Sequence, residues 1–313
     1  MVRQVLADAL FVMGTEILQS GNPRRALRYL AIAARLAASN AVYFGAAALA
    51  AFKAGDKETA VRHAEKALQL DRNLHSARDL LAEIFVHGED YLAVLERMQR
   101  HLGPRTYFEI GVATGGSLRL AAPPTRAIGV DPRPLLEGPL PANTTLYRLT
   151  SDEFFARHDL RAELGGLPVD LAFIDGLHLF EYALRDFINT ERYCEAGSTI
   201  VFDDCLPRDR LTAQRERALT FWTGDVWKVV LVLKKYRPDL GVHTIAAPPT
   251  GVCVVRNLDP RSTVLSERLD EIIGEFMSLD YSAIASDRAA KLNVVPNDWE
   301  TTIRPLLGSA RQL

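Results

Sequence analysis

The period of the apolar positions changes near Gly103. Before it the pattern is helical: "MVRQVLADALFVMGTEILQSG" carries Asp8 and Glu16 inside its apolar pattern, and the nearly apolar stretch Ala41 to Phe52 reads as a packed helix. After it, the short β-branched and aromatic runs "TYFEIGV", "RAIGVD", "VDLAFIDG" and "STIVFDD" are separated by helix-like segments. That alternation predicts parallel strands joined by crossover helices. Strands this continuously apolar suit a sheet covered on both faces. The break "RMQRHLGPRT", with Gly103 and Pro104, marks the expected junction. The expectation is an all-α domain over residues 1–102, an α/β domain over 103–260 and a helical C-terminal extension over 261–313.

Within the first domain "GNPRRALRYLAIAARLA" and "GDKETAVRHAEKALQLD" repeat one another, pairing Gly21 with Gly55, Ala26 with Ala60, Ala33 with Ala67 and Leu36 with Leu70, all 34 residues apart. "HSARDLLAEIFVHGEDYLAVLERM" is a looser third copy, with Gly88 one position early. Each unit reads as a helix, a turn at the glycine and a second helix whose alanines let neighbours approach. This resembles a tetratricopeptide array of two to three units. The usual proline after the second helix is Arg72 here, and the aromatic of the first helix survives as Phe44. A plain helical bundle is the alternative.

Within the α/β domain, "DPRPLLEGPLPANTT" after the second strand is too rich in proline and glycine for a helix and is expected to be a loop. "DVWKVVLVLKKYRPDLGVHTIAAPPTGVCVVRNL" reads as a helix or strand followed by two strands, and "SERLDEIIGEFMSL" as an amphipathic helix.

Bulk properties narrow the function classes. The chain has 313 residues, a 48% hydrophobic and 24% charged composition and a formal net charge of -2, which gives no global attraction to nucleic acid or to an anionic membrane. No stretch reaches the roughly 20 apolar residues of a bilayer span, and the acids near the N-terminus argue against a signal peptide, so a cytoplasmic protein is expected. Cys194, Cys205 and Cys253 fit neither a disulfide framework nor a zinc pair.

The strand "YFEIGV" runs into "ATGGS" and a helical "LRLAA", placing Glu109, Gly111, Gly115, Gly116 and Ser117 across a strand-to-helix turn where ligands of open α/β sheets bind. The second strand ends in Asp131, twenty residues after Gly111, where a carboxylate can accept ribose hydroxyls. In the dinucleotide fingerprint a second glycine admits a pyrophosphate, but that position is Ala113. S-adenosylmethionine has no phosphate, and its amino group suits a carboxylate such as Glu109.

Asp175 ends the fourth strand, while Asp203 and Asp204 end the fifth. Three converging carboxylates without balancing lysines imply a bound cation, and oxygen ligands point to Mg²⁺. Such a metal can acidify a substrate hydroxyl, and His178 can take the proton. Helix capping by these acids is the competing reading. On the helix "LFEYALRDFINTERY", Glu181 and Arg185 are expected to pair on a solvated face, with Tyr182 near the pocket.

Taken together, "YFEIGVATGGS", "AIGVD", "FIDGLHLFEYALRDF" and "GSTIVFDD" resemble a class I S-adenosylmethionine-dependent methyltransferase, specifically the metal-dependent sugar O-methyltransferases of macrolide pathways. The resemblance spans about residues 103 to 258. It implies a Rossmann-like, mostly parallel sheet with an antiparallel last strand. It also implies cofactor contacts from Gly111, Gly115, Ser117, Asp131 and Asp175, with Asp152 meeting the adenine amino group, metal ligands at Asp175, Asp203 and Asp204, and His178 as base. Ala113, the proline-rich loop and the repeats depart from that family and leave the acceptor open. The expected substrate is a small-molecule hydroxyl, with a protein partner or self-association through the repeats. A nicotinamide-dependent oxidoreductase and a catalytically silent adaptor are the alternatives.

Overall fold

The computed structural model describes residues 2–74, 76–77, 80–81, 84, 88–217 and 222–308. By their internal contacts the residues divide into two units, Met1–His87 and Gly88–Leu313.

In the first unit, Gly21 and Gly55 adopt the same left-handed φ of 83°, which glycine reaches without steric cost, and each turns one helix into the next. The helices are α1 (Val2–Gln19), α2 (Pro23–Leu36), α3 (Ala41–Lys53) and α4 (Lys57–Leu70). Asn22, Asn40 and Asp56 cap α2, α3 and α4 by accepting from Arg25, Val42 and Thr59 backbone N–H groups. The seams are lined with small side chains: Ala26, Ala33, Ala47, Ala51, Ala60, Ala64 and Ala67 are fully buried. The 34-residue repeat is thus two helical hairpins in space. Much of the loosely matching third copy lies outside the described residues.

The second unit is built on one eight-stranded sheet in the order β3-β2-β1-β4-β5-β7-β6-β8. Its strands are β1 (Thr106–Ile110), β2 (Arg126–Val130), β3 (Thr144–Tyr147), β4 (Leu171–Ile174), β5 (Thr199–Phe202), β6 (Gly241–Ile245), β7 (Val252–Arg256) and β8 (Val294–Val295). β1 to β5 are parallel, and β7 runs antiparallel between β5 and β6. The helices used below are α5 (Tyr91–Leu102), α6 (Ser151–Arg157), α7 (Phe180–Glu191), α8 (Trp227–Tyr236), α9 (Leu269–Met277) and α10 (Arg304–Leu307).

Several segments differ from the sequence reading. Val94, Leu95 and Met98 of α5 are fully buried in a cluster with Tyr107, Phe173 and Val201 of the sheet, so α5 packs with the sheet although its sequence continues the helical pattern before Gly103. Ile303 and Leu307 at α10 enter the same cluster, and β8 pairs with β6. The C-terminal segment therefore extends the sheet and covers it. The helical "LRLAA" shrinks to one 3₁₀ turn, Leu118–Leu120, because Pro123 and Pro124 follow directly. The proline-rich segment between β2 and β3 forms a loop, and "DVWKVV" opens a helix, α8. Among the described residues no helix is long and apolar enough to cross a membrane.

Candidate active site

The parallel strands deliver their C-terminal ends to one edge, where two cavities adjoin. The larger, about 630 Å³, is lined by Gly111, Ala113, Asp131, Ser151, Asp152 and Asp175 among others. Its floor is backbone. Gly111 has φ 84°, and a Cβ there would collide with the Asp175 carbonyl oxygen, so the turn after β1 lies directly against the end of β4. Asp131 organises that turn: its Oδ2 accepts from the N–H groups of Val112 and Ala113, both at 2.9 Å, and its Oδ1 from Arg133 N–H at 2.7 Å. These bonds help hold Ala113 in its left-handed φ of 44°.

The residues expected at the cofactor separate here. Gly111, Asp131, Asp152 and Asp175 line the cavity. Glu109, Gly115 and Ser117 are not among its lining residues. Glu109 is fully buried and uses its oxygens on the Tyr107 hydroxyl at 2.6 Å and the Ser117 hydroxyl at 2.8 Å. It supports the turn from behind, where the sequence reading put it against the amino group of the cofactor. Burial pushes its carboxyl up to about 8. Gly115, φ 81°, turns the chain toward Leu136 and Leu140.

The smaller cavity, about 440 Å³, shares Asp175, Gly176, Leu177 and His178 with the larger one and is closed by Tyr91, Asp203, Asp204, Arg217, Trp222 and Thr250. Here charge does the shaping. His178 lies between two carboxylates, with Nδ1 2.7 Å from Asp204 Oδ2 and Nε2 3.2 Å from Asp175 Oδ1. Asp175, His178 and Asp204 can each offer one donor atom within 4.8 Å of the others, a grouping able to hold a metal ion. Asp203, expected as a third carboxylate ligand, lines the cavity but stands outside that grouping; its Oδ1 accepts from Asp204 N–H at 2.8 Å, with the Thr250 hydroxyl at 3.4 Å.

The electrostatics follow from crowding. Burial pushes the Asp175 carboxyl up to about 6, against the opposing hydrogen bond from His178. Burial, with Asp204 and Asp175 nearby, pushes Asp203 well above the usual carboxylate range. For His178 burial opposes the charged ring, yet the bonds to Asp175 and Asp204 outweigh it and carry its pKa up to about 11. The imidazolium thus serves as the cation of the cluster.

His178 and Asp204 both have left-handed backbone, φ 55° and 60°. Such non-glycine conformations cost on the order of 1–3 kcal/mol each and persist where surroundings enforce them. One support is visible at His178: its carbonyl accepts from Asp225 N–H at 3.2 Å and abuts Gly224, where a Cβ would collide with it. Its ring stacks on Trp222, centroids 5.3 Å apart and 12° from parallel.

Sequence reasoning missed Tyr91, Trp222, Arg217 and Asp186. Tyr91 belongs to a segment that read as a third repeat, and Trp222 and Arg217 lie between β5 and α8 with no motif around them. Tyr182 does line the larger cavity, as expected. Glu181 and Arg185 do not pair: Glu181 binds Arg215 at 2.7 Å and Arg185 binds Asp152 at 2.7 Å, because α7 is covered on that side by neighbouring segments rather than solvated. The three cysteines are buried and free.

Residues 108–205 match the family model described as a methyltransferase domain. No curated protein matches the chain. Among solved structures, the cofactor-bound Rv0187 from MTB is 18% identical, with 64% of this chain and 88% of that one covered at a TM-score of 0.40. The O-methyltransferase TomG from Streptomyces achromogenes, in complex with SAM, is 14% identical over 59% of this chain and 96% of that one, TM-score 0.42. An O-methyltransferase from Bacillus cereus in complex with SAH is 13% identical over 60% and 91%, TM-score 0.41. The chain carries a methyltransferase domain from β1 through β5, the enzyme class expected from its sequence.

Proposed function

We propose that the protein is an S-adenosylmethionine-dependent O-methyltransferase that modifies a hydroxyl of a small molecule and uses Mg²⁺. The observation that carries this reading is the meeting of two cavities at Asp175 and His178, on the strand ends of a methyltransferase domain. One cavity has a backbone floor at Gly111 and Asp131 suited to a nucleoside. The other gathers three carboxylates and an imidazole around a space for the acceptor. The donor chemistry fits a divalent ion, with Asp175 and Asp204 in reach of one point and Asp203 beside them.

When bound, the cofactor supplies a sulfonium methyl and the metal acidifies a coordinated hydroxyl. The chain supplies placement and proton handling. Asp131 keeps lone pairs beyond its three backbone bonds, free for ribose hydroxyls. Thr150, Ser151 and Asp152 frame the adenine end. His178 can take a substrate proton only as the neutral ring, so its ion pairs with Asp175 and Asp204 must be relieved, as they are when those carboxylates neutralise a cation instead. Tyr91 and Trp222 wall the acceptor space.

The helical unit we read as tetratricopeptide-like and assign to a protein partner or to self-association; α1 exposes Val5, Leu6, Val12 and Met13. Titration calorimetry with S-adenosylmethionine and with NAD, followed by transfer of labelled methyl from S-adenosylmethionine with Mg²⁺ and a cell extract, tests the reading. Binding of S-adenosylmethionine alone and a labelled small molecule are expected. Absence of S-adenosylmethionine binding overturns the proposal, and binding without transfer to any acceptor favours the adaptor alternative.

A further inference from the structure

The geometry points to Asp186 as the residue that reads the adenine ring, its carboxylic acid offering one acceptor oxygen and one O–H to the N6 amino group and N1. This rests on the larger cavity being the cofactor site. Asp186 sits in the middle of α7, lines that cavity and is only 3% exposed. Its partner is the Ser151 hydroxyl, in the segment after β3 that lines the same cavity. A Cβ placed on Gly176 would stand 3.4 Å from Asp186 Oδ2, so the carboxyl is seated against the backbone leaving β4.

Asp152, the other carboxylate there, is a poorer reader: half exposed, it is held by Arg185 at 2.7 and 3.3 Å. That same bond turns Arg185 toward Asp152, so the neighbouring cation on α7 serves another carboxylate. The charged groups acting on Asp186 are thus Asp152 of α6, which disfavours its ionisation, and Arg185 of its own helix, which favours it; burial dominates and pushes the carboxyl up to about 7.

A buried carboxyl costs free energy unless its polar atoms are used. The neutral acid carries a donor and an acceptor side by side, the complement of the N6 donor and N1 acceptor on the Watson–Crick edge of adenine. An ionised carboxylate has lost the donor. Asparagine restores a donor and an acceptor with no titration.

The test is calorimetric binding, without added metal, of S-adenosylhomocysteine and its 6-deamino purine analogue to wild type, Asp186→Asn and Asp186→Ala of the full chain, at several pH values between 6 and 9. Wild type is expected to prefer S-adenosylhomocysteine about tenfold or more, the worth of one to two hydrogen bonds, and to weaken as pH rises past 7. Asp186→Asn keeps the preference and loses the weakening above pH 7; Asp186→Ala loses the preference, and the thermal midpoint reports whether it is folded. Equal preference in wild type and a folded Asp186→Ala, or no preference in wild type, overturns the assignment while leaving the cofactor site intact. Failure of wild type to bind S-adenosylhomocysteine overturns the cofactor reading and this assignment together.

Discussion

In the larger cavity the backbone makes the shape: Gly111 lies against the Asp175 carbonyl, and Asp131 gathers three N–H groups of the turn and the loop after β2. In the smaller cavity side-chain charge makes it, with His178 wedged between Asp175 and Asp204. The first arrangement rests on fixed backbone bonds. The second stores electrostatic tension, since burial and like charge both oppose ionisation of Asp203. The two arrangements meet at Asp175, Gly176, Leu177 and His178, which line both cavities.

That contrast can be broken from either side. Asp204→Ala removes charge from the smaller cavity alone; methyl transfer is expected to fall about 10³-fold or more while S-adenosylmethionine affinity stays within about twofold, as calorimetry and a labelled-methyl assay would show. Gly111→Ala attacks the other cavity: the positive φ and the collision with Asp175 are expected to cost about 3 kcal/mol of stability and to abolish cofactor binding, read by denaturant unfolding.

Glu109→Gln probes the support behind the turn. The folded carboxyl titrates near 8 against 4.5 in its ordinary state, so the folded protein holds the proton more tightly. Its stabilising contribution is complete below pH 4.5 and is lost as pH rises from there through 8. Removing the titration should flatten the stability curve between pH 5 and pH 8 by about 3.5 kcal/mol, measurable from unfolding midpoints at those two values. The smallest effect is assigned to Trp222→Ala, whose lost stacking on His178 should lower turnover about tenfold with cofactor binding unchanged.

Legibility in the sequence followed how local each feature is. Gly21 and Gly55 announce their turns through a repeat that needs no tertiary partner, and the apolar runs of β1, β2, β4 and β5 are self-evident. Asp131, Asp175, Asp203, Asp204 and His178 were visible because each follows a strand, and strand ends of a parallel sheet share an edge. Glu109 was placed by strand position alone, but which face of β1 its side chain takes, and the Tyr107 and Ser117 hydroxyls waiting there, depend on packing. Tyr91 and Trp222 reach the site from segments whose only signal is one aromatic residue in an unremarkable context. β8 has two residues, too few to show a period. Asp186 carries no motif of its own in the sequence; the cavity beside it is what gives it meaning.

The central claim is that the carboxylates at the ends of β4 and β5 hold a divalent cation beside the cofactor. Its most direct test is titration of the metal-free protein with Mn²⁺, a paramagnetic substitute for Mg²⁺, followed by electron paramagnetic resonance. One site per chain is expected, displaced by excess Mg²⁺ and abolished in a folded Asp204→Ala variant. Free Mn²⁺ signal throughout the titration, or a site that survives the loss of Asp204, would contradict it.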